Sequence, residues 1–167
     1  MSLFRKLNLP PFHVVGHSRG GFAATRIAME MPDHVRSLTI CSSGTLSTGV
    51  GLNEVVLALP PYPTGSRESA QWVYQNYCAR PESVTEDWVD SVMEVLQHSG
   101  YQAGVTKYVG EGLGVRLFLP DLARMKRETL TWISEGRLQR PVQMIWGAND
   151  RTVPIERGLE MYELIAA

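Results

Sequence analysis

The sequence has little of several features that mark particular classes of protein. It contains two cysteines in 167 residues, too few for a disulfide framework, and this favours a reducing compartment, the cytoplasm. The 16 basic and 17 acidic side chains nearly balance, so the net charge of −1 offers no general attraction to nucleic acid or to an anionic membrane. No apolar run approaches the ~20 residues that span a bilayer, and the basic N-terminal residues are not followed by the apolar segment of a secretory signal. We therefore expect a cytoplasmic protein with neither nucleic-acid nor membrane partners.

Patterns that bind metals or nucleotides are also missing. No pair of His or Cys residues has the spacing of metal ligands. The glycines at 110, 112 and 114 lack the strand before and the helix after that a nucleotide-binding turn requires. The sequence therefore predicts neither a metal site nor a cofactor.

The elements that are present alternate between strand and helix. Short apolar runs at residues 12–15, 35–41 and 142–146 predict strands, the first of them buried. A helical pattern covers residues 18–31, and a second begins at Pro154 with Leu159, Tyr162 and Ile165 as its expected buried stripe. Strands separated by helices are typical of an α/β fold with a parallel sheet.

The middle of the chain differs in kind from its two ends. Helices are predicted near residues 66–79, 85–98 and 121–133, after a loop rich in glycine and proline at 49–65. Five glycines between residues 100 and 114 indicate a mobile connection there. We thus expect two parts of a sheet domain, residues 1–44 and 141–167, with a mostly helical insertion at 45–140.

Ser18 lies between two glycines at the point where the first strand passes into a helix. A serine hydroxyl is a weak nucleophile, and a tight strand-to-helix turn can present it to both a base and a substrate. Gly16 and Gly20 would remove side chains that clash across such a turn. The backbone N–H of Arg19 would lie at the helix N-terminus, where it can stabilise an oxyanion. The alternative is a glycine-rich turn whose serine caps the helix.

Two stretches resemble the α/β-hydrolase fold superfamily. VVGHSRGGFAA, around Ser18, is similar to its nucleophile elbow, and PVQMIWGANDRTVP, residues 141–154, is similar to the strand and loop that carry the acid of a Ser–Asp–His triad. The resemblance implies a partial α/β-hydrolase fold in which Asp150 is the acid and the helical insertion is a cap over the active site. Asp150 could instead be a turn residue that caps the last helix.

The histidine of such a triad follows the acid in the family, and no histidine follows Asp150 in this sequence. The four histidines present are poor substitutes. His13 falls within the first strand, His17 beside the serine, His34 after a helix and His98 in the insertion. The chain therefore lacks the triad base.

The last part of the chain most closely resembles hydrolases that cleave carbon–carbon bonds of ring-fission products, and related esterases. This resemblance implies a serine hydrolase that acts on a small organic substrate. The alternative is a non-catalytic relative that binds a ligand or a partner. Because the first strand would have only one neighbour in the sheet, we also expect the chain to self-associate or to be part of a longer protein.

Overall fold

The structure, a computed structural model, describes residues 6–49 and 59–167. They form two compact units. One takes its described residues from Met1–Gly51 and Lys126–Ala167, and the other takes them from Leu52–Met125. Residues 126–140, predicted to belong to the insertion, group with the sheet, since Glu128 and Thr129 contact Arg26. The division of the chain thus differs from the predicted 44/45 and 140/141 boundaries.

The first unit contains a three-stranded parallel sheet in the order β1–β2–β3. Its strands are β1 (Phe12–His17), β2 (Val35–Cys41) and β3 (Val142–Ile145). Helix α1 (Arg19–Glu30) and a 3₁₀ turn (Pro32–His34) connect β1 to β2, as a parallel pair requires. The predicted α/β fold with a parallel sheet is confirmed, and each strand agrees with its prediction to within two residues.

One face of the sheet packs against α1. Leu38 and Ile40 of the central strand are 0% and 1% exposed and form the middle of this core. Helix α1 covers both β1 and β2, and Phe22 and Ala28 are among its buried side chains. Ala23 of the same helix is exposed.

The opposite face of the sheet is open in the part of the chain that the structure describes. Side chains alternate between faces along a strand, and here Val15 is 67% and Ile145 51% exposed. The prediction that residues 12–15 are buried is therefore wrong for Val15. The reason is that, among the described residues, β1 pairs only with β2 and packs against α1 on its other face.

Helix α6 (Ile155–Ala166) is found where it was predicted, but its buried face is different. Gly158 and Met161 are buried, whereas Leu159 and Tyr162 are 57% and 62% exposed. Gly158 accommodates the indole of Trp146, since a Cβ at 158 would lie 2.8 Å from that ring. Close contact at a glycine, which hydrophobicity does not reveal, sets the orientation of this helix.

Arginines pack on both sides of Trp132 in the long helix α5 (Leu119–Ser134). The guanidinium carbons of Arg26 and Arg137 lie 4.1 and 4.0 Å from the centre of the indole ring. Arg26 also donates to Glu128 at 2.6 Å. These contacts join the C-terminal half of α5 to helix α1 within the first unit.

The second unit is helical. It contains α2 (Arg67–Tyr77), α3 (Glu86–Gln97), α4 (Ser99–Val105), two π-helical turns (Thr106–Gly110 and Gly114–Phe118) and the beginning of α5. The side chains of Ser66 and Thr85 cap α2 and α3. Arg67 forms ion pairs with Glu86 and Asp90, which hold α2 and α3 together.

The segment with five glycines, predicted to be a mobile connection, is helical over most of its length. That prediction is wrong because the glycines have structural roles. The N–H of Gly100 donates to the His98 side chain that caps α4, and Gly112 turns the chain with a φ of 66°. Gly114 lies against Tyr108, where a Cβ would approach the ring to 2.7 Å.

Part of one prediction falls outside the described residues. The predicted loop at 49–65 includes residues 50–58, which the structure does not describe. Residues 59–65 form no regular element. Among the helices that the structure describes, none combines the length and apolar character needed to cross a membrane.

Candidate active site

Ser18 occupies a strained turn between β1 and α1. Its φ of 52° and ψ of −121° lie in a region that residues with a side chain seldom adopt. The turn is fixed by backbone hydrogen bonds on both sides of the serine: Ser18 N–H donates to the Cys41 carbonyl, and Gly21 N–H donates to the Ser18 carbonyl, both at 3.0 Å. The backbone therefore holds Ser18 at the carboxyl end of the sheet.

The turn is possible because two glycines permit close approaches. A Cβ on Gly16 would lie 2.2 Å from the Gly20 carbonyl oxygen, and one on Gly21 would lie 2.7 Å from the Ser43 Cβ. A Cβ on Gly20 would meet no described atom within 4 Å. The predicted clash is thus found at Gly16 but not at Gly20, because the steric restriction after the serine applies at Gly21.

Ser43 supports the turn from the neighbouring strand end, a role that the sequence argument missed. Its side chain is fully buried, and its hydroxyl donates to the Ser18 carbonyl at 2.6 Å. The preceding residue, Ser42, also has a positive φ, 38°. The available signal was the pair of serines directly after β2, at the same sheet edge as Ser18.

The side chain of Ser18 does not cap α1. Ser18 is in the N-cap position, but its hydroxyl accepts no hydrogen bond from the first turn of the helix. The residue is exposed, and Arg19 is the first residue of α1. The capping alternative for Ser18 is therefore excluded by this geometry.

Asp150 follows β3 in a tight turn that its own carboxylate stabilises. Its Oδ1 accepts hydrogen bonds from Val153 N–H and Thr152 N–H at 2.9 Å and from Thr152 Oγ1 at 2.8 Å. These donors precede α6, so the carboxylate organises the turn before the helix and does not cap the helix itself.

The environment of Asp150 favours its charged form. Partial burial disfavours the charge, but hydrogen bonds from the Val153 backbone, from the side chain and backbone of Thr152 and from the Ser42 hydroxyl outweigh this effect. The pKa of Asp150 therefore lies below its usual value. A carboxylate that stays ionised is suited to orient and stabilise a protonated imidazole.

Ser18 and Asp150 belong to the same edge of the sheet. The strand ends His17, Cys41 and Ile145 are in register across the three parallel strands. Ser18 directly follows the first of these ends, and Asp150 lies five residues after the last. Functional groups of open α/β sheets gather at this edge.

None of the four histidines is joined to this site by a hydrogen bond. His13 pairs with the Ser37 hydroxyl, and His98 caps α4 in the second unit. His17 is exposed next to Ser18, and His34 lies in the 3₁₀ turn after α1. The described residues contain no cluster of His, Cys, Asp and Glu that could hold a metal ion.

The family of the chain follows from comparison with known proteins. Residues 3–165 match the model of the α/β hydrolase fold, so the chain belongs to that family. A 2-hydroxy-6-oxononadienedioate/2-hydroxy-6-oxononatrienedioate hydrolase from a Pseudomonas species is 26% identical over 93% of this chain and 52% of its own length. A 2-hydroxy-6-oxo-6-phenylhexa-2,4-dienoate hydrolase from Comamonas testosteroni is 22% identical over 95% of this chain and 53% of its own length.

Solved structures show the same fold. A meta-cleavage product hydrolase from Pseudomonas fluorescens aligns with a TM-score of 0.71 at 18% identity, over 97% of this chain and 56% of that one. A 2-hydroxy-6-oxo-6-phenylhexa-2,4-dienoate hydrolase from Rhodococcus aligns with a TM-score of 0.71 at 20% identity, over 98% and 56%. The chain spans about half the length of these relatives, and its fold is part of the α/β-hydrolase fold.

Replacing Gly16 tests the turn directly. We expect Gly16→Ala to lower the free energy of unfolding by about 2–3 kcal/mol, because the new Cβ meets backbone atoms that cannot move aside. The matched control is Gly20→Ala, whose Cβ enters open space at the start of a helix and should change stability by less than about 1 kcal/mol. Urea denaturation followed by circular dichroism measures both, and equal losses in the two variants would contradict this geometry.

The hydrogen bonds to Asp150 predict a dependence of stability on pH. A carboxyl whose pKa is lowered in the folded state stabilises the protein above its unfolded pKa of about 3.9 and loses that contribution as the pH falls through the folded value. Solvent screening keeps the contribution below about 1 kcal/mol.

We therefore expect Asp150→Asn to be less stable than wild type at pH 7, with a difference that shrinks below pH 4. Urea denaturation at pH values from 7 to below 4 measures the difference in the free energy of unfolding. Asp33→Asn is the control, because Asp33 is exposed and accepts no hydrogen bond from the described residues. A difference between wild type and Asp150→Asn that stays constant with pH would contradict the assignment.

Proposed function

We propose that this chain carries the nucleophile and the acid of a serine hydrolase that acts on a small organic substrate. The observation that carries the proposal is the turn at Ser18, which is strained, is held by the backbone and leaves the hydroxyl unused by the helix. A serine that served only as a cap would have no need of a positive φ. Strain of this kind is typical of residues held for a function.

Each proposed role follows from the position of the residue. Ser18 Oγ loses its proton to a base and attacks the substrate carbonyl carbon, which gives a tetrahedral oxyanion. The protonated base then gives the proton to the leaving group, and the bond to that group breaks to leave an acyl-enzyme. The Arg19 N–H, the next backbone donor at the start of α1, stabilises the oxyanion. Asp150 orients the base and stabilises its protonated form, for which the lowered pKa suits it. Water then hydrolyses the acyl-enzyme.

We propose that the base is a histidine outside these 167 residues. No histidine follows Asp150, and no hydrogen bond links the four present to Ser18 or Asp150. Without a general base, a contribution of about 10²–10⁴ to the rate is lost. We therefore expect this chain alone to hydrolyse esters slowly.

The bond that is cleaved is carbon–carbon or ester. The relatives named above support the first choice, since the names of several denote hydrolases of 2-hydroxy-6-oxo dienoates. The second rests on the chemistry of the site, because the same nucleophile, acid and oxyanion donor act in ester hydrolysis.

A second candidate function is the binding of a ligand or partner without catalysis. It is favoured by the lack of any hydrogen bond between a histidine and the proposed nucleophile. The two functions predict different reactivity at Ser18.

Labelling with a fluorophosphonate in the presence of imidazole distinguishes them. Imidazole in solution can replace a missing histidine base, so we expect it to accelerate the labelling of Ser18, identified by peptide mass spectrometry. Asp150→Asn should reduce this acceleration, and Ser18→Ala should abolish the label. Labelling that imidazole does not change, or that falls on other serines, would favour the binding protein. Fast labelling without imidazole would show that a histidine of this chain is the base.

We further propose that the chain associates with a second copy through the open edge of β1. Val15 is 67% exposed on this strand, and among the described residues β1 has a pairing partner on one side only. An apolar strand edge of this kind is a template for pairing with another chain.

Light scattering after size exclusion tests the association. We expect wild type to form dimers or larger species, and Val15→Lys to shift the chain towards the monomer. Leu159→Lys, at an exposed position on α6, is the matched control and should leave the distribution unchanged. A wild-type chain that is monomeric at all concentrations tested would contradict the proposed association.

A further inference from the structure

The second unit contains a cavity between α2, α3 and α4 whose lining is aromatic. Its volume is about 610 Å³, within the range typical of sites for small organic ligands. Tyr74, Trp88 and Tyr101 contribute rings, and Val92 and Val95 contribute aliphatic groups from α3. The rings of Tyr74 and Trp88 lie 5.8 Å apart and tilted by 49°. Trp88 and Tyr101 are 43% and 45% exposed, so a ligand can reach them.

The charge on the lining has one sign. Among the described residues, Asp87 is the charged residue of this cavity, and no lysine, arginine or histidine lines it. An adjoining cavity of about 740 Å³, which shares Tyr74, Val92 and Tyr101, has no charged side chain among its described lining residues. A third, smaller cavity beside Tyr101 has both Glu94 and His98 in its lining.

The charge of Arg67, the first residue of α2, is already offset. Arg67 is paired with both Glu86 and Asp90. A carboxylate that entered the aromatic cavity would therefore meet Asp87 with no basic side chain in the lining to offset the repulsion. Carboxylate groups bind where arginine, lysine or backbone donors converge.

We propose that this cavity binds a neutral aromatic molecule, or a neutral aromatic portion of a larger one, and discriminates against carboxylates through Asp87. The rings supply apolar contact area and edge-to-face packing for an aromatic ligand. The cavity stands on its own geometry within the second unit and is independent of the chemistry at Ser18.

A matched pair of ligands tests the proposal on the 167-residue chain. 1-Naphthylmethanol and 1-naphthoate share a ring system and differ in charge at pH 7. Isothermal titration calorimetry should show the alcohol binding about tenfold more tightly than the carboxylate. Because binding is measured without turnover, the result does not depend on Ser18. Failure of the hydrolase proposal and failure of this one are therefore distinguishable.

Variants test whether Asp87 causes the preference for the alcohol over the carboxylate. Asp87→Asn should tighten the binding of naphthoate several-fold and change that of the alcohol by less than about twofold. Glu82→Gln, an exposed acid that lines none of the three cavities, should alter neither. Trp88→Leu should weaken the binding of both ligands, because it removes a ring from the lining. Equal affinity for the two ligands in wild type, tighter binding of naphthoate, or no binding of either would overturn the proposal.

Discussion

The close approach of Gly16 to the backbone of Gly20 is the constraint on which the candidate site depends. With a Cβ in the space between them, β1 could not pass into α1 through Ser18 alone, and Ser18 could not adopt its positive φ. The Ser43 hydroxyl and the Cys41 carbonyl hold the same turn from β2. The ends of two neighbouring strands thus form the turn of Ser18, the proposed nucleophile. Because the parallel strands are in register, this turn lies at the same edge of the sheet as Asp150.

The ends of the chain were predictable from the sequence because their signals are local. Apolar β-branched residues before Gly16 and helical spacing after Ser18 predicted β1 and α1, and Pro154 marked the start of α6. The family resemblance rested on these same segments, and the match over residues 3–165 confirmed it. The placement of Ser18 and Asp150 at one sheet edge follows from parallel strands in register.

Other features could not be predicted because they arise from contacts between distant residues. The glycines at 100–114 indicated a mobile segment. Gly114, however, is needed because the ring of Tyr108 packs against it and leaves no room for a side chain. Leu159 and Tyr162 are more apolar than Gly158, but the indole of Trp146 requires the glycine to face inward. The buried Ser43 hydroxyl gave no sequence signal beyond its place after a strand. In each case a close contact between particular residues determines the local structure, and neither hydrophobicity nor secondary-structure propensity reveals that contact.

The two units contribute different chemistry. The sheet unit presents the proposed nucleophile, Ser18, and a carboxylate whose pKa is held low by hydrogen bonds. The helical unit provides cavities with aromatic lining residues, in which Asp87, Glu94 and His98 are the ionisable side chains apart from tyrosine among the described residues. The proposed hydrolysis and the proposed binding of an aromatic ligand therefore depend on separate sets of residues.

The central claim is that the side chain at position 18 is presented to solvent by a folded turn. Alkylation of Ser18→Cys by iodoacetamide, followed by peptide mass spectrometry, measures this most directly. The account predicts that the thiol at position 18 reacts in the folded chain at least as fast as in urea, because a position at a helix N-terminus favours the thiolate. The half-buried Cys41 and Cys78 should react more slowly folded than in urea. Protection of position 18 in the folded chain would contradict the account.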